Sequence, residues 1–119
     1  MNYRNFTRVD ISEFASLKLG ERIFFGNVKN LSLQGLYFKT HEEIPLNIPV
    51  EVTVYHCPNN SIHLLANVVR QDFSGVGIQI KEMDTNSFVI LKNVIEEQCD
   101  DLEFILHETI KIACHIGTT

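Results

Sequence analysis

Two arginines near the N-terminus, Arg4 and Arg8, lie four positions apart in the chain. A guanidinium group presents a planar fork of donors that fits phosphate oxygens in pairs and also stacks on aromatic rings. Positions i and i+4 share one face of a helical turn, and in an extended chain their Cα atoms are at most about 14 Å apart. Either conformation lets both guanidiniums grip one compact, doubly charged ligand. The Arg-x-x-x-Arg pattern is common, so alone it is only a weak indication of such a site.

A second polar cluster occurs in the run Asn30-Leu31-Ser32-Leu33-Gln34-Gly35. If this run is a strand, Asn30 and Ser32 point to one side of it and the two leucines to the other. The Asn30 amide then offers a donor and an acceptor together, which suits the edge of a purine base. Gly35 permits a positive φ or the close approach of another backbone. The alternative is a turn in which Asn30 and Ser32 bond only to the backbone, and the cluster taken alone favours that turn.

The charged residues are distributed unevenly along a chain whose net charge is −5. Residues 1–30 carry five basic and three acidic side chains, whereas residues 31–119 carry five basic and twelve acidic ones. The negative total argues against non-specific binding to polymeric nucleic acid or to an anionic membrane surface. Any anion that this chain recognises is therefore expected to be small and to be met near the N-terminus, although an ordinary solvated surface also accounts for the asymmetry.

The residues that could do chemistry must be positioned by the elements of one small domain. The chain has 119 residues, 45% of them hydrophobic, and no linker, repeat or low-complexity tract divides it. Residues 1–13 are predicted to form an arm or a short, poorly anchored turn. The short β-rich runs that follow predict five or six strands in a closed or nearly closed antiparallel barrel. These runs are Ala15–Asn30 (broken by Gly20 and Gly26), Gly35–Thr40, Val50–Tyr55, Ile62–Gln71 and Gly75–Ile80.

The pattern changes to helical spacing after Met83. Apolar residues three and four positions apart predict one helix over about 86–98, with Asp84 or Thr85 as its N-cap. A second helix is predicted over about 101–112. Both apolar stripes are expected to pack on the barrel, and the alternative for the second stripe is contact with a partner.

The two polar clusters, taken in order, resemble the signature of a known family. Arg4-x-x-x-Arg8, followed 22 positions after Arg8 by Asn30-x-Ser32-x-x-Gly35, is similar to the signature of the PilZ domain. PilZ domains are bacterial receptors for cyclic di-GMP. Two motifs in the right order are far more specific than either motif alone.

The resemblance continues along the chain and covers about residues 4–98. Leu65–Arg70 and Gly75–Ile80, which contains a Gly-x-Gly, are similar to the last two barrel strands of PilZ domains. The resemblance implies a six-stranded antiparallel β-barrel with one or more C-terminal α-helices packed against it. The chain then divides into a mobile ligand-binding arm over residues 1–13, the barrel and its following helix over residues 14–98, and a C-terminal helical extension over residues 99–119.

The family's ligand-binding residues transfer to the matching positions of this chain. The resemblance implies that Arg4 and Arg8 clamp phosphates and stack on guanine. It implies that Asn30 and Ser32 hydrogen-bond the edge of a guanine, and that Gly35 shapes the turn. This chain departs from the pattern at Tyr3, where many members of the family carry a further arginine, and that departure bears on ligand affinity and stoichiometry.

The implied function is that of a single-domain cyclic di-GMP receptor. Ligand binding would order the arm over the barrel and create a surface for a protein partner, which would belong to motility, polysaccharide or pilus machinery. No cofactor is expected besides this ligand. The alternative is a PilZ-like protein-interaction adaptor with little or no nucleotide binding.

Other functional classes find little support in the sequence. No nucleophile elbow, P-loop or metalloprotease motif is present, so an enzyme is not predicted. The pairs His56-Cys57 and Cys114-His115 lack the spacing of a zinc site, and buried cysteines and surface histidines are expected instead. The odd number of cysteines, the absence of a signal peptide and the lack of an apolar run of about 20 residues favour a cytoplasmic protein.

Arg70 is a further candidate, because it lies at the end of a predicted strand near a turn. From that position its guanidinium could reach the ligand. A surface salt bridge is the preferred prediction for this side chain.

Overall fold

The computed structural model describes residues 8–57 and 60–98 and the backbone of residues 117–118. Within them, seven strands and one helix follow one another along the chain. They are β1 (Val9–Leu19), β2 (Arg22–Leu31), β3 (Gly35–Lys39), β4 (Pro49–Cys57), β5 (Asn60–Gln71), β6 (Gly75–Met83), α1 (Thr85–Gln98) and β7 (Gly117–Thr118).

The first six strands form a closed antiparallel barrel. The hydrogen-bonded order is β3-β2-β1-β4-β5-β6, and β3 also pairs with β6, which joins the two ends of the sheet. Inward positions along each strand are apolar and buried; Val50, Val52 and Val54 of β4 alternate with more exposed Glu51 and Thr53. This period-two pattern confirms the predicted barrel, because only one face of each strand lies in the core.

The seam between β3 and β6 depends on a glycine. Gly35 is the register partner of Gln79, and a Cβ atom at Gly35 would lie 2.5 Å from the carbonyl oxygen of Ile78. The glycine with a positive φ in the described chain is Gly20, in the β1–β2 turn, and not Gly35. Of the two roles considered for Gly35, the structure therefore has the close approach of another backbone.

The helix covers part of the barrel with its apolar face. The α1 residues Ile90, Leu91, Val94 and Ile95 are buried in the common core. At the start of the helix, the backbone N–H of Ser87 donates to a carboxylate oxygen of Asp84 at 2.7 Å, which makes Asp84 the N-cap. The Ser87 hydroxyl accepts the backbone N–H of His63 at 2.8 Å and so ties the helix to β5. No helix in the described part of the chain is long and apolar enough to cross a bilayer.

The structure corrects three of the predicted boundaries. Residues 9–13, expected in the arm, form the first half of β1, because Val9 and Asp10 pair with the end of β2. Gly26 does not interrupt β2; its lack of a side chain admits the Phe38 ring and the Lys39 carbonyl. Residues 117–118, expected in a helical extension, pair in parallel with β6. The predicted second helix over about 101–112 lies outside the described residues.

Candidate ligand groove

A bulge in β2 determines where the Asn30 side chain points. Val28 is buried inside the barrel, and with a period of two Asn30 would point inward as well. The β2–β3 register shifts between Val28 and Asn30, so Lys29 is an extra residue on this strand. The bulge turns Asn30 to the outside, where its register partner is Tyr37, and Leu31 returns to the core.

A second bulge acts in the same way on β5. Val68 is buried, and the β5–β6 register shifts between Val68 and Arg70. The extra residue, Val69, is 48% exposed. Because of this shift, Arg70 lies on the outside of the barrel opposite Gly77 rather than in the core.

The two bulges align four residues on neighbouring strands, which we name the exterior row: Asn30, Tyr37, Gly77 and Arg70. Asn30 pairs with Tyr37, Tyr37 pairs with Gly77, and Gly77 pairs with Arg70. Since Gly77 has no side chain, the Arg70 guanidinium lies directly over it, 3.1 Å from the place of a Cβ atom. The guanidinium carbon is 5.8 Å from the centroid of the Tyr37 ring, at cation–π distance.

Arg8, the residue just before β1, contacts the same row. Its Nη1 atom donates a hydrogen bond to Oδ1 of Asn30. Two sequence-predicted residues, 22 positions apart, are therefore in direct contact. Arg4, the other predicted arginine, and Tyr3 lie outside the described residues.

A surface groove of about 500 Å³ lies beside the exterior row; we name it the ligand groove. This volume is within the usual range of small-molecule sites. Two guanidiniums in one groove favour an anionic ligand. The residues that line it include Arg8, Gln34, Gly35, Arg70, Ile78 and Gln79.

Ser32 has a different position from the one predicted. Strand β2 ends at Leu31, so the alternation that would set Ser32 beside Asn30 stops before it. The Ser32 side chain is buried, and its Oγ accepts the N–H groups of Gln34 and Gly35, both at 3.1 Å. It also lies 3.3 Å from the Gly35 carbonyl oxygen, to which it donates. The structure thus has the Ser32 side chain bonded within the turn, which was the alternative considered for this cluster.

Tyr37 and Asp72 form a polar network that the sequence reasoning did not single out. The Tyr37 hydroxyl donates to a carboxylate oxygen of Asp72 at 2.5 Å, and that oxygen also accepts the N–H groups of Ser74 and Gly75. These bonds, that of Tyr37 foremost, lower the pKa of Asp72, whereas desolvation and then the Asp72 bond raise the pKa of Tyr37. The available signal was the Asp72-Phe73-Ser74-Gly75 turn, because Asp commonly bonds the backbone two residues on.

Arg70 does not form the predicted surface salt bridge with any side chain in the described part of the chain. Its guanidinium contacts Gly77 and the Tyr37 ring, and it belongs to neither ion pair found between described side chains. The reason is geometric, since the glycine opens a path along the barrel surface to an aromatic ring two strands away.

The histidine–cysteine pair on β4 does not form a metal site with other described side chains. His56 Nδ1 lies 3.0 Å from a carboxylate oxygen of Glu13. Cys57 is exposed, contrary to the expectation of a buried thiol, because β4 ends there. Among residues 8–57 and 60–98, no three histidine, cysteine or acidic side chains come together as a metal-ligand group. Cys114 and His115 lie outside the described residues.

Two solved structures share this architecture. The inhibitor of motility MotI/DgrA from Bacillus subtilis is 14% identical, with a TM-score of 0.68 over 82% of this chain and 52% of that chain. This chain therefore spans about half the length of that protein. The PilZ domain of YcgR from Escherichia coli, solved with c-di-GMP, is 12% identical, with a TM-score of 0.67 over 82% of this chain and 92% of that one. At these identities, the likeness shows a common fold.

No curated protein sequence matches this chain significantly. The family model of the PilZ domain, however, matches residues 2–97, which include both arginines of the first motif and the whole of the barrel. On that match, and with the six-stranded closed barrel and its C-terminal helix, the chain belongs to the PilZ domain family.

Proposed function

We propose that this chain is a receptor for cyclic di-GMP that binds the nucleotide in the ligand groove. The observation that carries the proposal is the direct contact between Asn30 and Arg8, which lines the groove, because this contact brings residues of the two motifs together. Family membership and the presence of c-di-GMP in the YcgR structure supply the identity of the ligand.

The proposed contacts divide between charge and base recognition. Cyclic di-GMP carries two phosphodiesters, and Arg8, with Arg4 from the segment before it, binds them through charge-assisted hydrogen bonds. The Asn30 amide, which the bulge turns outward, reads a guanine edge. Such charged hydrogen bonds contribute roughly 1.5–3 kcal/mol each. Several of them, less the cost of ordering the chain, are compatible with micromolar binding, about −8 kcal/mol.

Ser32 and Gly35 are proposed to act on the ligand through the turn that they build. The acceptor positions of the Ser32 hydroxyl are taken by the N–H groups of Gln34 and Gly35. Gln34 and Gly35 both line the ligand groove. Ser32 therefore holds one wall of the site in place, which is a positioning role.

The proposed regulatory step is a change in the segment that precedes β1. Ligand phosphates neutralise Arg4 and Arg8 and draw this segment over the groove, which creates a new surface for a protein partner. The receptor is proposed to work in the bacterial cytoplasm and to catalyse no reaction. Its partner is proposed to belong to motility, polysaccharide or pilus machinery.

Calorimetric titration of the pure protein with cyclic di-GMP tests the ligand. We expect saturable micromolar binding that Arg8→Ala abolishes. The matched control is Arg22→Ala, because Arg22 is also an exposed arginine over an aromatic ring, 4.8 Å from the centroid of Phe24, and is not among the groove residues. The absence of binding at about 100 μM ligand would overturn the proposal.

Hydrogen exchange tests the regulatory step separately. We expect the amides of residues 2–8 to exchange more slowly when the ligand is bound, while the amides at the centre of β4 stay unchanged. Equal exchange of residues 2–8 with and without bound ligand would leave the receptor intact as a proposal and remove the arm movement from it.

A protein-interaction adaptor without nucleotide binding is the second candidate function. The observation that favours it is an exposed row of aromatic residues across β2, β1 and β4, formed by Phe25, Phe14 and Tyr55. The Phe14 ring stacks on both neighbours at centroid distances of 5.7 Å. Exposed aromatic residues are enriched in protein interfaces. An adaptor would keep its partner after Arg8→Ala, whereas a receptor would lose ligand and signal together.

A further inference from the structure

We infer that Arg70 is a further ligand-binding residue, whose guanidinium is held ready in the ligand groove before the nucleotide arrives. The inference rests on the proposed function and adds a contact from β5, outside both motifs that define the site. Its observations are the β5 bulge, the glycine beneath the guanidinium and the groove that Arg70 and Arg8 both line.

The β5 bulge at Val69 places Arg70 on the outside of the barrel. Val68 points into the core, so regular alternation would bury Arg70 two residues later. One extra residue reverses this and leaves both Val69 and Arg70 exposed. A bulge that turns a charged side chain toward a groove is typical of functional positions.

Gly77 and Tyr37 orient the Arg70 side chain. Gly77 sits between Arg70 and Tyr37 in register, so a side chain at position 77 would fill the space that the guanidinium occupies. The ring of Tyr37 supports the far end of the guanidinium at 5.8 Å. Tyr37 is itself fixed by its 2.5 Å bond to Asp72. Three strands thus hold one flexible side chain in place, which reduces the entropy lost when it binds a ligand.

The N–H donors of the Arg70 guanidinium are the groups that would bind the ligand. The contacts described for its guanidinium are with a glycine backbone and a ring face, and neither uses N–H groups in an ion pair. Within residues 8–57 and 60–98, no acceptor occupies the planar fork, which can therefore meet phosphate or guanine oxygens in the groove. With Arg8, it brings two positive charges to a site in a chain whose net charge is −5.

Titration of Arg70→Ala and Arg70→Lys with cyclic di-GMP tests the inference. We expect Arg70→Ala to weaken binding about tenfold or more, as for the loss of a charge-assisted hydrogen bond. Arg70→Lys keeps the charge and loses the planar fork, so we expect it to recover only part of the affinity. Arg22→Ala again serves as the control, and thermal unfolding checks that every variant folds.

A second variant keeps Arg70 and changes the glycine over which its guanidinium lies. In Gly77→Ala, the new Cβ atom would lie 3.1 Å from two guanidinium nitrogens, so the guanidinium must shift by a few tenths of an ångström from its position over residue 77. We expect several-fold weaker binding from this one methyl group. Tyr37→Phe keeps the ring beside the guanidinium but loses the hydroxyl bond to Asp72 that fixes the ring, so we expect a smaller loss of affinity than Arg70→Ala causes.

The outcomes separate this inference from the proposed function. If the original protein does not bind cyclic di-GMP, the receptor proposal fails first, and Arg70 loses its ligand with it. If the original protein binds and Arg8→Ala abolishes binding, while both Arg70 variants and Gly77→Ala bind as tightly as the original, the role of Arg70 is overturned and the receptor stands.

Discussion

At the scale of single residues, Ser32 and Gly35 each have a structural role that does not require a ligand. The Ser32 hydroxyl and the missing side chain of Gly35 have structural explanations in the turn and at the seam. A motif position therefore need not be a contact position. Substitutions at these two residues distinguish effects on folding from effects on binding.

Ser32→Ala tests the turn. The change removes the acceptor of two N–H groups, those of Gln34 and Gly35, in a buried turn. An unsatisfied buried donor costs roughly 1–3 kcal/mol, so we expect a loss of that size in the free energy of unfolding, measured with denaturant. Ser12→Ala, at an exposed position of β1, is the control. Unchanged stability together with lost nucleotide binding would instead make the Ser32 hydroxyl a ligand contact.

Gly35→Ala tests the seam. The new Cβ atom would meet the Ile78 carbonyl oxygen at 2.5 Å, and a backbone atom in a sheet cannot easily move away. We expect the free energy of unfolding to fall by about 1–3 kcal/mol, as in other overpacked sites. Gly20→Asn is the control, since position 20 has a φ of 60° with open space around it, and Asn accepts that conformation. Equal stability of both variants would contradict the close approach at the seam.

At the scale of elements, regular alternation supports the core and irregular positions build the site. The bulge on β2 turns Asn30 outward and the bulge on β5 turns Arg70 outward. At the start of the helix, the Asp84 carboxylate caps the first turn and Ser87 links that turn to β5. The contribution of the Asp84 carboxylate to stability depends on pH.

Asp84→Ala tests the helix cap. We expect it to cost about 0.5–2 kcal/mol of unfolding free energy at pH 7, and Asp84→Asn, which keeps a capping oxygen, to cost less. Hydrogen bonds from Ser87, its side chain foremost, lower the pKa of Asp84 below the ordinary 3.8. The charged form thus stabilises the fold above pH 3.8, and that stabilisation is lost as the pH falls through the lower pKa of the folded state. Denaturant titrations from pH 7 down to about 2 measure it, and a constant difference between the original protein and Asp84→Ala down to the lowest pH would contradict this assignment.

At the scale of the whole molecule, the closed barrel makes distant parts of the chain depend on one another. The closing pairs join residues far apart in sequence, for example Gly35 with Gln79, and β1 pairs with β4 across two intervening strands. Each of the six barrel strands pairs with a neighbouring strand on both sides. Completing the barrel therefore requires the closure of two long loops, for the β1–β4 and β3–β6 pairings, in addition to the hairpins between consecutive strands.

We predict that the chain refolds in milliseconds to seconds, the range of all-β proteins with non-local pairing. The chain has three tyrosines and no tryptophan, so stopped-flow tyrosine fluorescence after denaturant dilution is the suitable measurement. Far-UV circular dichroism followed on the same dilution is the control for a purely local tyrosine signal. A complete refolding phase in microseconds would show that local structure, and not closure of the barrel, limits the rate.

The sequence alone predicted the barrel, but it did not predict the exterior row on the surface of the barrel. Alternation on β4 and helical spacing after Met83 are local patterns, and both led to the observed elements. The start of β1 was missed because its polar residues pair with β2, and pairing is not visible in one segment alone. Tyr37 and Gly77 were missed for the same reason, since their roles exist only where three strands meet.

The two bulges have a consequence for how such sites are gained and lost. Asn30 and Arg70 face outward because of the number of residues in each strand, and not because of their own chemistry. Deleting Val69 alone would return the arginine toward the core, and the barrel would have to expel it or shift its register. Insertions and deletions within strands are therefore a direct route by which evolution can turn a side chain toward the groove or away from it in a barrel of unchanged topology.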